Sequence, residues 1–179
     1  TPATAPARQS GEDPLLLRHA AGWIARRTLN RPKPYIALSE ELLAELQSML
    51  AEIALDESVR VVVIAGAGSA FCAGHDLKQM RANPRRDYYD KLFAQCSDVM
   101  MRLQRLPQPV IARVQGIATA AGCQLVAQCD LAVAADTARF AGSGITVGLF
   151  CSTPSVRPGR TVSPKQAMDM LLTGKCIEY

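Results

Sequence analysis

Two stretches concentrate the residue types that can steady a reacting carbonyl oxygen: residues 70–80, AFCAGHDLKQM, and residues 116–129, GIATAAGCQLVAQC. In each, glycine and alanine follow a short apolar run of strand type and precede a helical pattern. Small residues let a ligand approach the backbone closely, and the first N–H groups of a helix have no internal acceptor. Two such turns side by side make a pair of converging donors, the arrangement that stabilises an oxygen as it gains negative charge. The polar side chains around them are few. His75 has an ordinary pKa suited to acid/base work, against the plainer reading that its imidazole packs while its backbone matters. Asp76 fits a helix cap. Gln124 lies one helical turn beyond Ala121 and can bind a ligand carbonyl or water, or be a core amide satisfied by backbone.

The elements that must position these residues follow from patterning. Residues 21–29 read as the first ordered element, and NRPKP at 30–34 as a turn or loop. Ser39 caps a helix continuing through SEELLAELQSMLAEIAL, with Leu42, Leu43, Leu46, Met49, Leu50 and Ile53 on one face. RVVVIA at 60–65 reads as a buried strand. After the first motif and a basic stretch at 81–87, residues 88–106 have helical periodicity. Strands follow at 108–114 and 131–134, with a short helix at 122–128 between them. Alternating strands and helices define an α/β class. The segment 156–163 carries Pro158 and Gly159, which interrupt any long helix there.

Composition narrows the function classes. The 179 residues suit one domain, expected over 14–179, preceded by a Pro/Ala/Thr-rich flexible tail at 1–13. The net charge of +4 is mild, and aromatics are 5 %, so nucleic acid is not the expected partner, whereas an anionic small ligand is suited. No apolar run reaches membrane-spanning length. Six cysteines without a C-x-x-C pair indicate buried thiols in a reducing compartment rather than disulfides or zinc, and no metal is expected.

With AFCAGHDL at 70–77, the block PVIARVQGIATAAGCQLVAQCDLAVAADTARF at 109–140, and LNRP at 29–32, the chain resembles the crotonase, or enoyl-CoA hydratase/isomerase, superfamily. GHDLK at 74–78, ATAAGCQLVA at 118–127 and VGLFCSTP at 147–154 are most similar to its enoyl-CoA hydratase domain-containing protein 3 group. The resemblance implies a crotonase-like β-β-α superhelix binding acyl-CoA thioesters in fatty-acid metabolism. It implies no cofactor, CoA being part of the substrate. It also implies a homotrimer or hexamer, built by C-terminal helices that lie beyond this sequence. The corresponding compartment is the cytoplasm in a bacterium and the mitochondrial matrix in a eukaryote.

By the same resemblance, the backbone N–H groups of His75 and Ala121 form the oxyanion hole, and the carbonyls of Ala73 and His75 hold adenine. Asp76, Leu77 and Lys78 continue the substrate-binding segment, with Lys78, Arg81, Arg85 and Arg86 near the CoA phosphates. The departures concern acid/base chemistry. The two glutamates of the family's hydratases are replaced by Gln124 and Gly144, and the glycine-rich PGAGG segment by CSTPS at 151–155. An amide hydrogen-bonds water but cannot take its proton. Two readings stay open: an enzyme acting through the oxyanion hole alone, and a non-catalytic acyl-CoA-binding or regulatory paralogue.

Overall fold

The computed structural model describes residues 13–31 and 35–178. The expected tail at 1–13 therefore lies almost wholly outside the described residues, as does most of the 30–34 turn.

The chain opens with a hairpin, β1 (Leu16–Ala21) and β2 (Ile24–Leu29), turning at Gly22 with φ +58. This corrects the single element expected at 21–29. β1 was unreadable because it is an edge strand with only Leu16 buried, so its residues show no alternation. Helix α1 (Glu40–Ala54) follows, with the Ser39 hydroxyl accepting from the Leu42 N–H and all six expected apolar residues buried. β3 (Val61–Gly66), α2 (Leu77–Ala82), α3 (Arg86–Arg105) and β4 (Val110–Val114) come next. Then come β5 (Ile117–Thr119), α4 (Ala121–Gln128), β6 (Leu131–Ala134) and β7 (Arg139–Ala141). The chain closes through a 3-10 turn (Ser143–Val147), α5 (Ser152–Ser155), α6 (Pro158–Thr161), α7 (Pro164–Thr173) and β8 (Ile177–Glu178).

Two sheets result. The first has order β1-β2-β3-β4-β6, parallel except for β1. The second has order β5-β7-β8, with β5 parallel to β7. Successive strands therefore alternate between sheets: β4 then β5, β6 then β7. With α4 after the first pair, this is the expected strand–strand–helix superhelix. The main core lies where Val62, Ile64, Val110 and Ala112 meet α1 and α3, all four fully buried. The expected interruption at 158–159 is met: α5 and α6 have four residues each, and Pro158 takes the first position of α6, where its missing N–H costs nothing.

Five of the six cysteines, Cys72, Cys96, Cys123, Cys129 and Cys151, are buried free thiols. Burial pushes Cys72, Cys123 and Cys129 up to about 12. The thiolate is the reactive form. A thiol reagent applied to the native protein should therefore label the exposed Cys176 quickly and the three buried thiols only after denaturant is added. Rapid labelling of all three by mass spectrometry would show this packing to be wrong.

Candidate active site

The two small-residue segments meet backbone to backbone. Cys72 and Ala118 form an isolated parallel bridge, and the Thr119 N–H donates to the Cys72 carbonyl at 2.9 Å. The first segment is also zipped to residues 36–38: the Ala73 N–H donates to Ile36 at 2.7 Å, and the Leu38 N–H to Gly74 at 2.8 Å. Two glycines make the approach possible. A Cβ on Gly122 would sit 2.2 Å from the Cys72 carbonyl oxygen, and one on Gly74 would sit 3.2 Å from the Ala121 nitrogen. Gly74 has φ +89, which an L side chain rarely adopts.

The donors are thus brought close. Gly74, directly before His75, lies against the nitrogen of Ala121. Among the described residues, neither the His75 N–H nor the Ala121 N–H has a backbone acceptor. Ala121 is the first residue of α4, and the intrahelical bonds begin with the Gln124 N–H donating to Ala120 at 3.0 Å. Ala120, which precedes it, has φ 49 and ψ −123 and is the sole non-glycine with positive φ among the described residues. Strained backbone of this kind clusters at functional turns.

The side chains sort out differently. His75 is half-buried, and its ring sits edge-on to Phe93 with centroids 5.4 Å apart. Its Nδ1 is buried without a partner, and burial lowers the pKa below the usual histidine value, so the ring is neutral at neutral pH. The packing half of the histidine reading is therefore met. Asp76 caps α2 through the N–H groups of Lys78 at 3.0 Å and Gln79 at 3.2 Å, and pairs with Arg31 at 3.0 Å. Burial raises its carboxyl, but the Gln79 N–H and Arg31 outweigh that and leave the pKa lowered. Asp76 is thus a structural anchor joining LNRP to the first motif.

Leu77 and Lys78 are exposed at the start of α2, and Arg81, Arg85 and Arg86 are exposed around it. Among the described residues, Arg85 and Arg86 make only long surface pairs, to Asp87 and Asp90, both at 3.7 Å. Lys78 and Arg81 have no acidic partner among the described residues. The Ala73 carbonyl accepts from the Thr119 hydroxyl at 3.3 Å, and Thr119 in turn accepts from Ser143 at 3.0 Å. A carbonyl oxygen has a second lone pair, so Ala73 can still take another donor. Sequence reasoning missed this Ser143–Thr119–Ala73 chain, because nothing in residue spacing signals it.

Gln124 is 7 % exposed, yet among the described residues its amide makes no hydrogen bond. Neither of its polar atoms is sealed away from solvent. Gly144 offers no room for the missing carboxylate: a Cβ there would lie 2.4 Å from the Leu149 carbonyl oxygen and 2.6 Å from Cys151 Sγ. The Gly144 N–H donates to that sulfur at 3.3 Å. An apolar cavity of 320 Å³ lies elsewhere, between α4, β6, α6 and α7. Val126, Leu131, Phe140, Met170 and Ile177 line it, and none of His75, Ala121 or Gln124 does. It is apolar and has no pair of converging donors, so the motif segments remain the better candidate site. Among the described residues, no cluster of three metal-ligating side chains occurs and no helix is long and apolar enough to cross a membrane.

Comparison with known proteins bears on this geometry. The sequence profile of the enoyl-CoA hydratase/isomerase family matches residues 20–179. The mitochondrial enoyl-CoA hydratase domain-containing protein 3 of Xenopus laevis is 47 % identical over 164 residues, 92 % of this chain and 56 % of that protein. Its Homo sapiens counterpart is 46 % identical over 176 residues, 98 % of this chain and 58 % of its own length. Among solved structures, an enoyl-CoA hydratase from Mycobacterium smegmatis superposes with a TM-score of 0.91 at 61 % identity, covering 93 % of this chain and 65 % of that one. The human domain-containing protein 3 gives a TM-score of 0.88 at 44 % identity, covering 92 % and 65 %. The chain therefore spans less than two thirds of the length of these relatives. A family match across nearly the whole chain, together with close structural agreement on the two-sheet superhelix, means that this chain belongs to the enoyl-CoA hydratase/isomerase, or crotonase, family.

Proposed function

We propose that the protein binds acyl-CoA thioesters, with the thioester oxygen accepting from the His75 and Ala121 backbone N–H groups. The observation carrying this is that both N–H groups lack acceptors, while Gly74, which precedes one, closes on the nitrogen of the other. Such donors stabilise an oxyanion without needing an acid or base. The free cations Lys78 and Arg81 suit the phosphates of CoA, and the Ala73 carbonyl keeps a lone pair for adenine. Ordinary hydration is not proposed. With Gln124 and Gly144 at the carboxylate positions, a role as a non-catalytic acyl-CoA-binding or regulatory paralogue is the favoured alternative to an active enzyme. The assembly proposed from the family is a homotrimer or hexamer. The proposed compartment is the mitochondrial matrix in a eukaryotic host, the vertebrate relatives being named mitochondrial, and the cytoplasm in a bacterial one.

A ligand that binds only the native state stabilises it in proportion to the logarithm of its concentration. Crotonyl-CoA at ~100 times its dissociation constant should add about 2.7 kcal/mol, visible as a rise in melting temperature. The rise should shrink when Lys78→Ala and Arg81→Ala are combined. A melting curve that crotonyl-CoA, butyryl-CoA and CoA all leave unmoved would defeat the proposal.

A further inference from the structure

The sheet β1-β2-β3-β4-β6 is parallel except at its first strand, and sheets of that kind are normally covered on both faces. Here α1 and α3 cover one face, over Val62, Ile64, Val110 and Ala112. Side chains alternate along a strand, so the register sends Leu17, Ile24, Val61, Val63, Ile111 and Val133 to the other face. None of the six is buried: Leu17, Ile24 and Val133 are exposed, and Val61, Val63 and Ile111 are half-buried. Apolar side chains from all five strands thus share one open surface.

Its charge says what the surface fits. The ionisable side chains that the register places there are Arg26, Arg113 and His19, with no carboxylate among them. Arg26 and Arg113 are exposed and have no acidic partner among the described residues. At the hairpin turn that leads into β2, Trp23 is 62 % exposed. An indole joins an apolar body to a polar N–H and suits a boundary between water and lipid. An arginine lays its stem along apolar surface while its head reaches a phosphate. A second copy of the chain would match the apolar residues but would set arginine against arginine with no acid between them. A partner helix, about 10–12 Å across, would cover only two or three of five strands spaced about 4.8 Å apart. A lipid surface meets all five.

We infer that this open sheet face docks the protein on an anionic lipid surface, its apolar side chains entering the interfacial layer while Arg26 and Arg113 pair with lipid phosphates. The attachment is peripheral, since no helix among the described residues is long and apolar enough to cross a membrane. It is also separate from thioester binding, because His75 and Ala121 lie outside this sheet. One basic residue near an anionic surface raises the partition about fivefold, and salt screens that attraction.

The test is sedimentation of the whole chain with vesicles of phosphatidylcholine alone and of phosphatidylcholine mixed with phosphatidylglycerol. The protein should pellet with the mixed vesicles only, and added salt should release it. Arg26→Gln combined with Arg113→Gln should weaken the partition about 25-fold. Arg86→Gln combined with Lys91→Gln removes the same charge from α3, over the opposite face, and should leave binding within about twofold of the parent. Trp23→Ala, at an exposed turn, should also weaken binding and serves if the arginine pair disturbs folding. No partition onto the mixed vesicles, or an equal loss in both double variants, overturns the inference. So does a chain that ignores vesicles and dimerises in analytical ultracentrifugation, with Leu17→Lys and Val133→Lys together dissociating the dimer. That result gives the face to a second copy.

Discussion

Crotonyl-CoA incubated with this protein should lose its enoyl absorbance no faster than about 10²–10⁴-fold below the rate of a hydratase that has its carboxylate pair. On the proposed function, the His75 and Ala121 N–H groups polarise the thioester, but attack by water also requires its proton to be taken and a proton delivered to the adjacent carbon. Each such role is commonly worth about 10²–10⁴-fold, and two roles in one machine do not simply multiply. Gln124 can orient water without accepting its proton. Gly144 supplies no side chain, and the position cannot be refitted with one, because Leu149 and Cys151 already occupy the space a Cβ would need. Gln124→Glu alone should therefore raise the rate by no more than one such role. The neighbouring alternative base is His75, whose burial lowers its pKa and keeps it unprotonated. If hydration proved fast, a histidine-based mechanism would hold its rate as the pH fell through the ordinary histidine range and lose it only below. His75→Ala would abolish that rate while sparing the backbone donor. A rate typical of competent hydratases, insensitive to His75→Ala, would refute this account of the site.

The parts of the fold that read clearly from the residues are those governed by local chemistry. Ser39 followed by a six-residue apolar stripe specifies α1, because cap and periodicity agree. The nearly continuous valines of β3 specify a strand buried on both sides. β5, β7 and β8 escaped because each has only two or three residues, and their identity comes from partners such as Thr119 opposite Ala141, not from any pattern of their own. The site divides in the same way. That the two small-residue segments precede helices and leave N–H groups free was legible in the residues, whereas the choice of His75 and Ala121 came from the family resemblance. That Gln124 has no partner among the described residues was not legible, because satisfaction of an amide depends on every neighbour the fold brings. The tie from Arg31 to Asp76 and the chain from Ser143 to Ala73 likewise join residues more than forty positions apart in sequence.

The turn that creates the Ala121 donor can be probed by two substitutions in opposite directions. In Gly122→Ala the new Cβ would meet the Cys72 carbonyl oxygen at 2.2 Å, its carbon at 2.7 Å and its Cβ at 2.8 Å. That carbonyl cannot yield cheaply, because it already accepts from the Thr119 N–H at 2.9 Å, and the adjacent Phe71 N–H is bonded to Ile117 at 2.9 Å. Overpacking usually costs about 1–3 kcal/mol, and contact with fixed backbone belongs at or above the top of that range. In Ala120→Gly the backbone at φ 49 and ψ −123 no longer crowds a Cβ. Relief of about 1–3 kcal/mol of strain is set against about 0.4–1 kcal/mol of added unfolded-state entropy. The net gain should be about 1 kcal/mol, a rise in melting temperature of about 2–4 °C for a chain of this size. Urea titration of both variants beside the parent measures the two effects. Because the approach of the two segments also spaces the donors, Gly122→Ala should lose the thermal response to crotonyl-CoA, whereas Ala120→Gly should keep it. A Gly122→Ala protein as stable as the parent would mean that the segments are not in backbone contact. An Ala120→Gly protein no more stable than the parent would mean that the turn before α4 stores no strain.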